Sequence, residues 1–174
     1  MWRPYVIRHY PRSAMFNRPF PRALHFSPPM HHIERQKVSK SMTKIKKTDD
    51  EWREALSPEA YRVLREHGTE RAGTSPLNHE KRKGVFACAG CGKQLFASDA
   101  KFESGTGWPS FYAPLAEESV GTTEDRSWFM RRTEVHCADC GGHLGHVFPD
   151  GPKPTGLRYC MNGAALSFKP DGEA

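Results

Sequence analysis

The sequence predicts a mainly β protein in which two short helices precede an antiparallel body. Three observations lead to this fold class. Two helix-capping patterns open the body, short apolar runs alternate with turn residues after residue 83, and two Cys-x-x-Cys-Gly units fit a zinc site. The 174 residues suffice for one domain with a real core. No run approaches the roughly eighteen apolar residues of a membrane-spanning helix.

The first 41 residues differ in composition from the rest of the chain. They hold eight of the 26 Lys and Arg residues, one of the 20 acids and six of the 14 prolines, and we expect them to be disordered. They lack the apolar stretch of a secretory signal. We interpret 1–41 as an upstream extension before a start at Met42, or alternatively as a mitochondrial or plastid transit peptide. The domain is then 42–174, and its expected compartment is the cytoplasm unless the tail directs import.

Two helices are predicted at the start of the domain. A capping-box pattern begins at Thr48, so the first short helix should follow it. Ser57 with Pro58 gives a second N-cap with proline at the first helical position, and Gly68 should end that helix. Residues 69–82 are expected to form a loop.

Short apolar runs separated by turn residues predict the strands of the body. Runs of this kind, joined by tight turns, pair in antiparallel fashion. The predicted strands contain Val85–Ala87, Gln94–Phe96, Ser127–Met130, His146–Phe148 and Ala165–Phe168.

Four of the five cysteines form two pairs with metal-ligand spacing. They are Cys88, Cys91, Cys137 and Cys140. Two such pairs predict a structural zinc site with four cysteine ligands, since four thiolates leave no open coordination position. The long interval between the pairs implies that the metal clamps two distant hairpins. Two redox pairs or surface thiols are the alternatives, but no thioredoxin-like pattern surrounds either pair. His136 could be a metal ligand in place of one of the cysteines, although we expect it to be a strand residue.

Cys160 is left over from these pairs and is therefore the candidate nucleophile. If its segment is a strand, Arg158, Cys160 and Asn162 share one face, while the residues between them pack on the other. A cation beside a sulfur favours the reactive thiolate. The alternative is a buried, inert cysteine that behaves as a small hydrophobe.

Two further segments could contribute to a site around this cysteine. His143 and His146 stand beside a glycine, and neutral imidazoles can donate or relay protons near pH 7. They could instead belong to a second metal site or be ordinary surface histidines. Trp108 precedes a proline in a glycine-rich loop and could form the wall of a pocket for a methyl group, or pack in the core.

These motifs, in this order, resemble those of the B-type methionine sulfoxide reductases. The matching segments are Cys88-x-x-Cys91-Gly, Ser-Gly-Thr-Gly-Trp108-Pro-Ser-Phe, Cys137-x-x-Cys140, His143-Leu-Gly-His146-Val-Phe and Arg158-Tyr-Cys160-Met-Asn162, spanning roughly residues 49–169. The resemblance implies two antiparallel sheets with small N-terminal helices, joined by a structural zinc ion. It also implies an oxidoreductase that reduces the R epimer of methionine sulfoxide in oxidised peptides and proteins, and so repairs oxidative damage.

The resemblance further implies a role for each residue of the site. The catalytic residues would be Cys160, His146, His143 and Asn162, and the substrate-binding residues Trp108 and Arg158. The cysteine would attack the substrate and become a sulfenic acid. The histidines and the asparagine would bind or protonate the sulfoxide oxygen, and the tryptophan would pack on the substrate methyl group.

The chain departs from many relatives in the step that regenerates the nucleophile. A second, resolving cysteine of those relatives is replaced here by Thr106. The other four thiols are assigned to zinc, so we expect an external reductant, either thioredoxin or a small thiol, to reduce Cys160.

Two other function classes explain less of the sequence. A zinc-ribbon module for nucleic acid would account for the cysteine pairs and the pI of about 9.2. After residue 41, however, the chain holds eighteen of the 26 basic residues and nineteen of the 20 acidic ones. The domain itself is therefore nearly neutral, unlike a nucleic-acid-binding module. A thiol peroxidase would use Cys160 but neither the cysteine pairs nor the Trp108 loop. We therefore expect a monomer that binds neither nucleic acid nor membrane.

Overall fold

The computed structural model describes residues 45–125 and 131–172, which form two short helices followed by nine β-strands. The basic tail over 1–41 and the apolar run Ser127–Met130 lie outside the described residues. The domain boundaries and that predicted strand therefore stay predictions. Within the described ranges, no helix is long and apolar enough to cross a membrane.

Both helices begin where the capping patterns predict. Helix α1 spans Asp49–Ala55, and the Thr48 and Glu51 side chains each accept a bond from the other's backbone N–H. Helix α2 spans Pro58–Glu66, and the Ser57 side chain accepts a bond from the backbone N–H three residues on. The short-range signals in the sequence are therefore sufficient to set both starts.

The end of α2 differs in detail from the prediction. His67, not Gly68, adopts the left-handed conformation of the cap, with φ 55°. Gly68 is needed for a different reason. Its backbone N–H bonds to the Arg62 carbonyl oxygen at 2.9 Å, and a Cβ on Gly68 would lie 2.9 Å from the same oxygen.

The strands form two antiparallel sheets, which confirms the predicted fold class. The strands are β1 Gly84–Cys88, β2 Gln94–Ala97, β3 Lys101–Phe102, β4 Ser110–Phe111, β5 Val120–Asp125, β6 Arg132–Cys137, β7 His143–Phe148, β8 Arg158–Met161 and β9 Leu166–Pro170. The smaller sheet has the order β2-β1-β9, and the larger has the order β3-β4-β8-β7-β6-β5. A short 3-10 turn, Pro76–His79, interrupts the predicted loop.

The hairpin of β5 and β6 was not among the apolar runs of the sequence. Strand β5 reads VGTTED and exposes three consecutive residues, Thr122, Thr123 and Glu124. An edge strand with a solvated face carries few apolar residues, so an apolar-run criterion misses it. His136 lies in β6, as expected of a strand residue.

Aromatic rings join the two sheets in the core. Phe96 of β2 stacks on Phe111 of β4 with ring centroids 4.4 Å apart, and Phe86 of β1 meets Phe111 at 5.0 Å. All three side chains are fully buried. Burial of each ring contributes on the order of 2 kcal/mol, so this cluster holds the small sheet against the strands that carry the site.

Strand β7 contains one extra residue relative to β6. Val135 pairs with Gly145 and His136 pairs with His143, so Leu144 has no partner and forms a β-bulge. In a regular strand, residues three apart point to opposite faces. The bulge brings His143 and His146 together, with ring centroids 5.4 Å apart.

Gly145 allows β7 and β8 to approach closely beside Cys160. A Cβ on Gly145 would lie 2.2 Å from the Cys160 carbonyl oxygen and 3.0 Å from the Met161 Cα. No side chain fits at this contact without separating the two strands.

Candidate active site

Cys160 lies in the middle of three adjacent strands. In β8 it pairs directly with Ser110 of β4 on one side and with His146 of β7 on the other. Directly opposed residues have Cβ atoms about 5 Å apart on the same face, so all three side chains share one surface. Tyr159 and Met161 pack in the core beneath. The predicted alternation of β8 is confirmed, and Cys160 is half-buried rather than part of the core.

A cavity of about 130 Å³ opens above this cysteine. Its lining residues are Thr69, Trp108, Arg132, Gly145, His146, Phe148, Cys160 and Asn162. The structure thus brings together four of the six predicted catalytic and substrate-binding residues. The two rings of Trp108 and Phe148 provide apolar wall, while the imidazole and the amide provide polar groups.

His146 is held by an acid on the neighbouring hairpin. Its Nε2 lies 3.0 Å from Asp125 Oδ2, and Arg132 Nη2 donates to the same oxygen at 2.7 Å. Burial lowers the pKa of His146 below its ordinary value, against the opposing effect of the Asp125 hydrogen bond. The ring is therefore neutral near pH 7 and can accept a proton.

His143 lies next to His146 but is not among the residues lining the cavity. It is 3% exposed, and its Nδ1 lies 2.6 Å from Glu134 Oε1. The His143 hydrogen bond lowers the pKa of Glu134 to about 2, so this carboxylate is ionised at neutral pH. His67 Nδ1 lies 3.0 Å from the same oxygen. The direct contact of His143 with substrate stays a prediction.

These three residues also form the second group of possible metal ligands among the described residues. Ligand atoms of His67, Glu134 and His143 lie within 4.8 Å of one another. Both ring nitrogens already share one Glu134 oxygen, and His67 is 63% exposed. We assign the group to hydrogen bonding that orients His143.

Glu70 fixes two of the cavity residues and was missed in the sequence. Its carbonyl accepts a bond from Trp108 Nε1 at 3.2 Å, and its N–H donates to Asn162 Oδ1 at 3.0 Å. Its carboxylate accepts from the backbone N–H groups of Gly163 and Ala164, at 2.6 and 2.8 Å. Glu70 is 3% exposed, and of its four hydrogen bonds two hold the indole and the amide while the other two fix Glu70 itself.

Asn162 is further fixed from the side of β7. Its Nδ2 donates to the Leu144 carbonyl at 3.1 Å, and Asn162 is 4% exposed. With its Oδ1 bonded to Glu70, the amide has one orientation, in which Nδ2 is the donor.

Arg158 lies on the same face as Cys160 but outside the cavity lining. Its guanidinium donates from Nε and Nη2 to the two oxygens of Asp150, both at 2.9 Å, and lies over the Phe148 ring at 4.5 Å. The Asp150 hydrogen bonds raise the pKa of Arg158, and the Cys160 sulfur acts in the same direction. A direct bond from Arg158 to substrate stays a prediction.

The side chain of Thr106, where the resemblance implies a resolving cysteine in many relatives, contacts the candidate nucleophile. Thr106 Oγ1 lies 3.7 Å from Cys160 Sγ. The same hydroxyl lies 2.8 Å from Ser104 Oγ, which lies 2.7 Å from Ser110 Oγ.

The four paired cysteines converge at one point between the sheets. Their sulfur atoms lie within 4.8 Å of one another, and all are free of disulfides. They belong to two turns of the same geometry. Gly92 N–H bonds to the Cys88 carbonyl and Gly141 N–H to the Cys137 carbonyl, both at 2.8 Å. Both glycines have positive φ, 76° and 70°, which explains the glycine after each pair.

This donor set fits a metal that joins the sheets. One turn follows β1 of the small sheet and the other follows β6 of the large sheet, as the predicted clamp requires. Four sulfur donors match a tetrahedral structural site. Lys93 of the first turn and Asp139 of the second add an ion pair at 3.3 Å.

The residues that sequence reasoning missed come from long-range pairing. Asp125 and Arg132 face each other at the end of the β5–β6 hairpin, so a prediction of that hairpin would have placed them together. Thr69 and Glu70 belong to a loop with no periodic signal. The position of Glu70 depends on contacts more than thirty residues away in sequence.

A family model described as the SelR domain matches residues 56–170. Several relatives are named peptide methionine sulfoxide reductase MsrB. The protein of Methanosarcina barkeri is 55% identical over 129 residues, 74% of this chain and 91% of its own length. The protein of Agrobacterium fabrum is 54% identical over 127 residues, 73% of this chain and 94% of its own length. The protein of Pseudomonas putida is 57% identical over 129 residues, 74% of this chain and 97% of its own length.

Replacement of Cys91 by serine should remove the metal and destabilise the domain. Metal-binding free energy is folding free energy at such sites, so the free energy of unfolding should fall by more than about 4 kcal/mol. Metal content by atomic emission and denaturant unfolding would measure this. Cys160→Ser is the matched control, which should keep full metal content. Full metal content and unchanged stability in Cys91→Ser would show that the cluster is not a metal site.

Proposed function

The chain belongs to the B-type methionine sulfoxide reductase family, and we propose that it reduces the R epimer of methionine sulfoxide in oxidised peptides and proteins by thiol chemistry at Cys160. The observation that carries this proposal is the cavity in which Cys160 faces an aromatic wall, an imidazole and an amide donor. A small S=O group with a methyl substituent matches that combination. Repair of oxidised proteins follows from the reaction.

In the first step, Cys160 takes the oxygen atom from the substrate. The thiolate attacks the sulfoxide sulfur, the oxygen is protonated and moves to the cysteine, and methionine leaves. The methionine sulfur is reduced by two electrons and the cysteine sulfur is oxidised by two, to a sulfenic acid. One thiol proton is lost and one is gained by the oxygen, so the step balances.

His146 is suited to carry that proton. Its Nε2 faces the acceptor Asp125, so the neutral ring has its lone pair on Nδ1. We propose that this nitrogen accepts the proton of Cys160, its cross-strand neighbour, and gives it to the sulfoxide oxygen. The lowered pKa of His146 favours transfer of this proton from the imidazole to the sulfoxide oxygen.

The fixed indole and amide explain selection of one epimer. Trp108 would pack on the methyl group while Asn162 Nδ2 and His146 face the oxygen. In the other epimer the oxygen and the lone pair exchange places, which leaves these buried polar groups unpaired. Arg158 and His143 would act from outside the lining, on the thiolate and on His146.

We propose that a reductant from outside the chain regenerates Cys160. A thiol of thioredoxin or of a small molecule attacks the sulfenic acid, releasing water and forming a mixed disulfide. A second thiol then restores Cys160 and leaves with the oxidised partner. Thr106 in place of a resolving cysteine supports this route. We expect the protein to act as a monomer.

We assign the metal to zinc. Zinc combines four thiolates with tetrahedral geometry and has no redox chemistry of its own. Cys88, Cys91, Cys137 and Cys140 would hold it as a structural clamp, while Cys160 remains free for the reaction. The cytoplasm remains the proposed compartment, with import as the alternative if 1–41 acts as a transit peptide.

Replacement of Glu70 by glutamine should lower kcat/KM without loss of metal. The variant keeps the Glu70 backbone groups that bond Trp108 and Asn162. It weakens the two bonds from the carboxylate to the connection between β8 and β9, which hold that backbone in place, so Trp108 and Asn162 lose their fixed positions. We expect a fall of about tenfold in kcat/KM for a methionine-R-sulfoxide peptide. The control is Glu66→Gln, an exposed glutamate of α2, which should be neutral. Wild-type kcat/KM in Glu70→Gln would contradict this role.

The two epimers should differ sharply in turnover, and His146 should be needed for it. Cys160→Ser should abolish reduction of the R epimer, and His146→Ala should reduce kcat by about 10²–10⁴-fold, the range for lost acid–base catalysis. His79→Ala, an exposed histidine, is the control. Chromatography of each dabsylated epimer would measure turnover. Comparable rates for both epimers would refute the pocket assignment.

One turnover without reductant should leave a sulfenic acid on Cys160. Intact mass spectrometry of the zinc-bound protein should show a gain of one oxygen, or an adduct with a sulfenic-acid trap. Thr106→Cys is the matched control and should instead lose two hydrogens, since its thiol would stand beside Cys160. A disulfide between Cys160 and a zinc cysteine, with release of zinc, would show that recycling follows another route.

A further inference from the structure

Three hydroxyl groups connect the Cys160 sulfur to the backbone of the aromatic wall. Thr106 Oγ1 lies 3.7 Å from Cys160 Sγ and 2.8 Å from Ser104 Oγ. Ser104 Oγ lies 2.7 Å from Ser110 Oγ, which lies 3.1 Å from the Trp108 carbonyl oxygen. The four contacts form one continuous chain, which we call the hydroxyl chain.

Each hydroxyl has a single proton, so the hydroxyl chain has a direction. When Ser110 donates to the Trp108 carbonyl, Ser104 must donate to Ser110, and Thr106 to Ser104. The Cys160 thiol then donates to Thr106. Every proton has an acceptor in this arrangement, which therefore suits the protonated sulfur.

Rotation of the same hydroxyls gives the opposite direction. Ser110 then donates to Ser104, Ser104 to Thr106, and Thr106 to the thiolate of Cys160. The arrangement gives up the bond to the Trp108 carbonyl and gains a hydrogen bond to a charged sulfur. A bond to a charged group is the stronger of the two.

We propose that Thr106 is a catalytic residue that donates a hydrogen bond to the Cys160 thiolate, and that reversal of the hydroxyl chain through Ser104 and Ser110 supplies this bond. The proposal rests on the proposed role of Cys160 as nucleophile. The chain ends on a carbonyl oxygen, which does not take up a proton. The thiol proton therefore leaves through the cavity, and the hydroxyls only reorient.

The charged groups around the sulfur lie on other sides. His146 and Arg132 line the cavity with Cys160, and Arg158 on its own strand is paired with Asp150. Replacing a residue of the hydroxyl chain leaves these charged groups in place. A change in the reactivity of the Cys160 sulfur would therefore be due to the hydroxyl chain.

The test is the rate at which iodoacetamide alkylates Cys160 at pH 7, measured on the reduced, zinc-loaded protein by peptide mass spectrometry. Thr106→Val keeps the shape but removes the hydroxyl, and should slow alkylation by about tenfold, the effect of one hydrogen bond to a charged group. Thr106→Ser keeps the hydroxyl and should stay within about twofold of the wild type.

Ser104→Ala tests the chain beyond the first hydroxyl. It should slow alkylation by about threefold in the wild-type background and have no effect in Thr106→Val, since the chain is already cut there. Metal content and the thermal unfolding midpoint would verify that each variant is folded.

Two results would overturn the proposal. One is wild-type alkylation in folded Thr106→Val, and the other is equal slowing by Ser104→Ala in both backgrounds. Alkylation does not require turnover, so its outcome is separate from the proposed function. Failure of the wild type to reduce methionine-R-sulfoxide would refute that function alone.

Discussion

The convergence of four sulfur atoms between the sheets fixes the position of the strands that carry the site. The turn after β6 supplies two of these sulfurs and leads directly into β7, which carries His146. The same turn packs against α2, where a Cβ on Gly142 would lie 2.9 Å from Leu64 Cδ2. Helix α2, the cluster of four cysteines and β7 are thus in contact at one end of the hairpin, and β7 runs from there to the cross-strand pairing of His146 with Cys160.

Polar contacts, rather than apolar packing, orient the predicted site residues around Cys160. Each has a carboxylate-bearing partner: Asp125 for His146, Glu134 for His143, Asp150 for Arg158 and Glu70 for Trp108 and Asn162. A buried carboxylate is costly unless its oxygens are bonded, and the Glu70 and Glu134 carboxylates accept hydrogen bonds. Positions fixed in this way are precise, because hydrogen bonds are directional whereas apolar contacts are not.

Local signals in the sequence were sufficient for part of this structure. The N-caps of both helices, the two Cys-x-x-Cys turns and the alternation of β8 depend on neighbours within a few residues, and the structure confirms all three. The partners of the reactive groups could not be predicted in that way. Asp125 and Arg132 stand on strands with polar outer faces, and Glu70 acts through its backbone as much as its side chain. Such contacts follow from tertiary pairing, which leaves no periodic trace in the sequence.

The unpaired Leu144 makes the pairing of β7 as important as its composition. If the same residues paired regularly with β6, without the bulge, the two histidines three apart would point to opposite surfaces of the sheet. Every residue type of the motif could then be retained while its geometry was lost. In alignments of this region, a one-residue gap between the histidines would thus mark a regular strand that keeps both imidazoles on one face without a bulge, whereas a substitution of the bulged leucine would alter only packing.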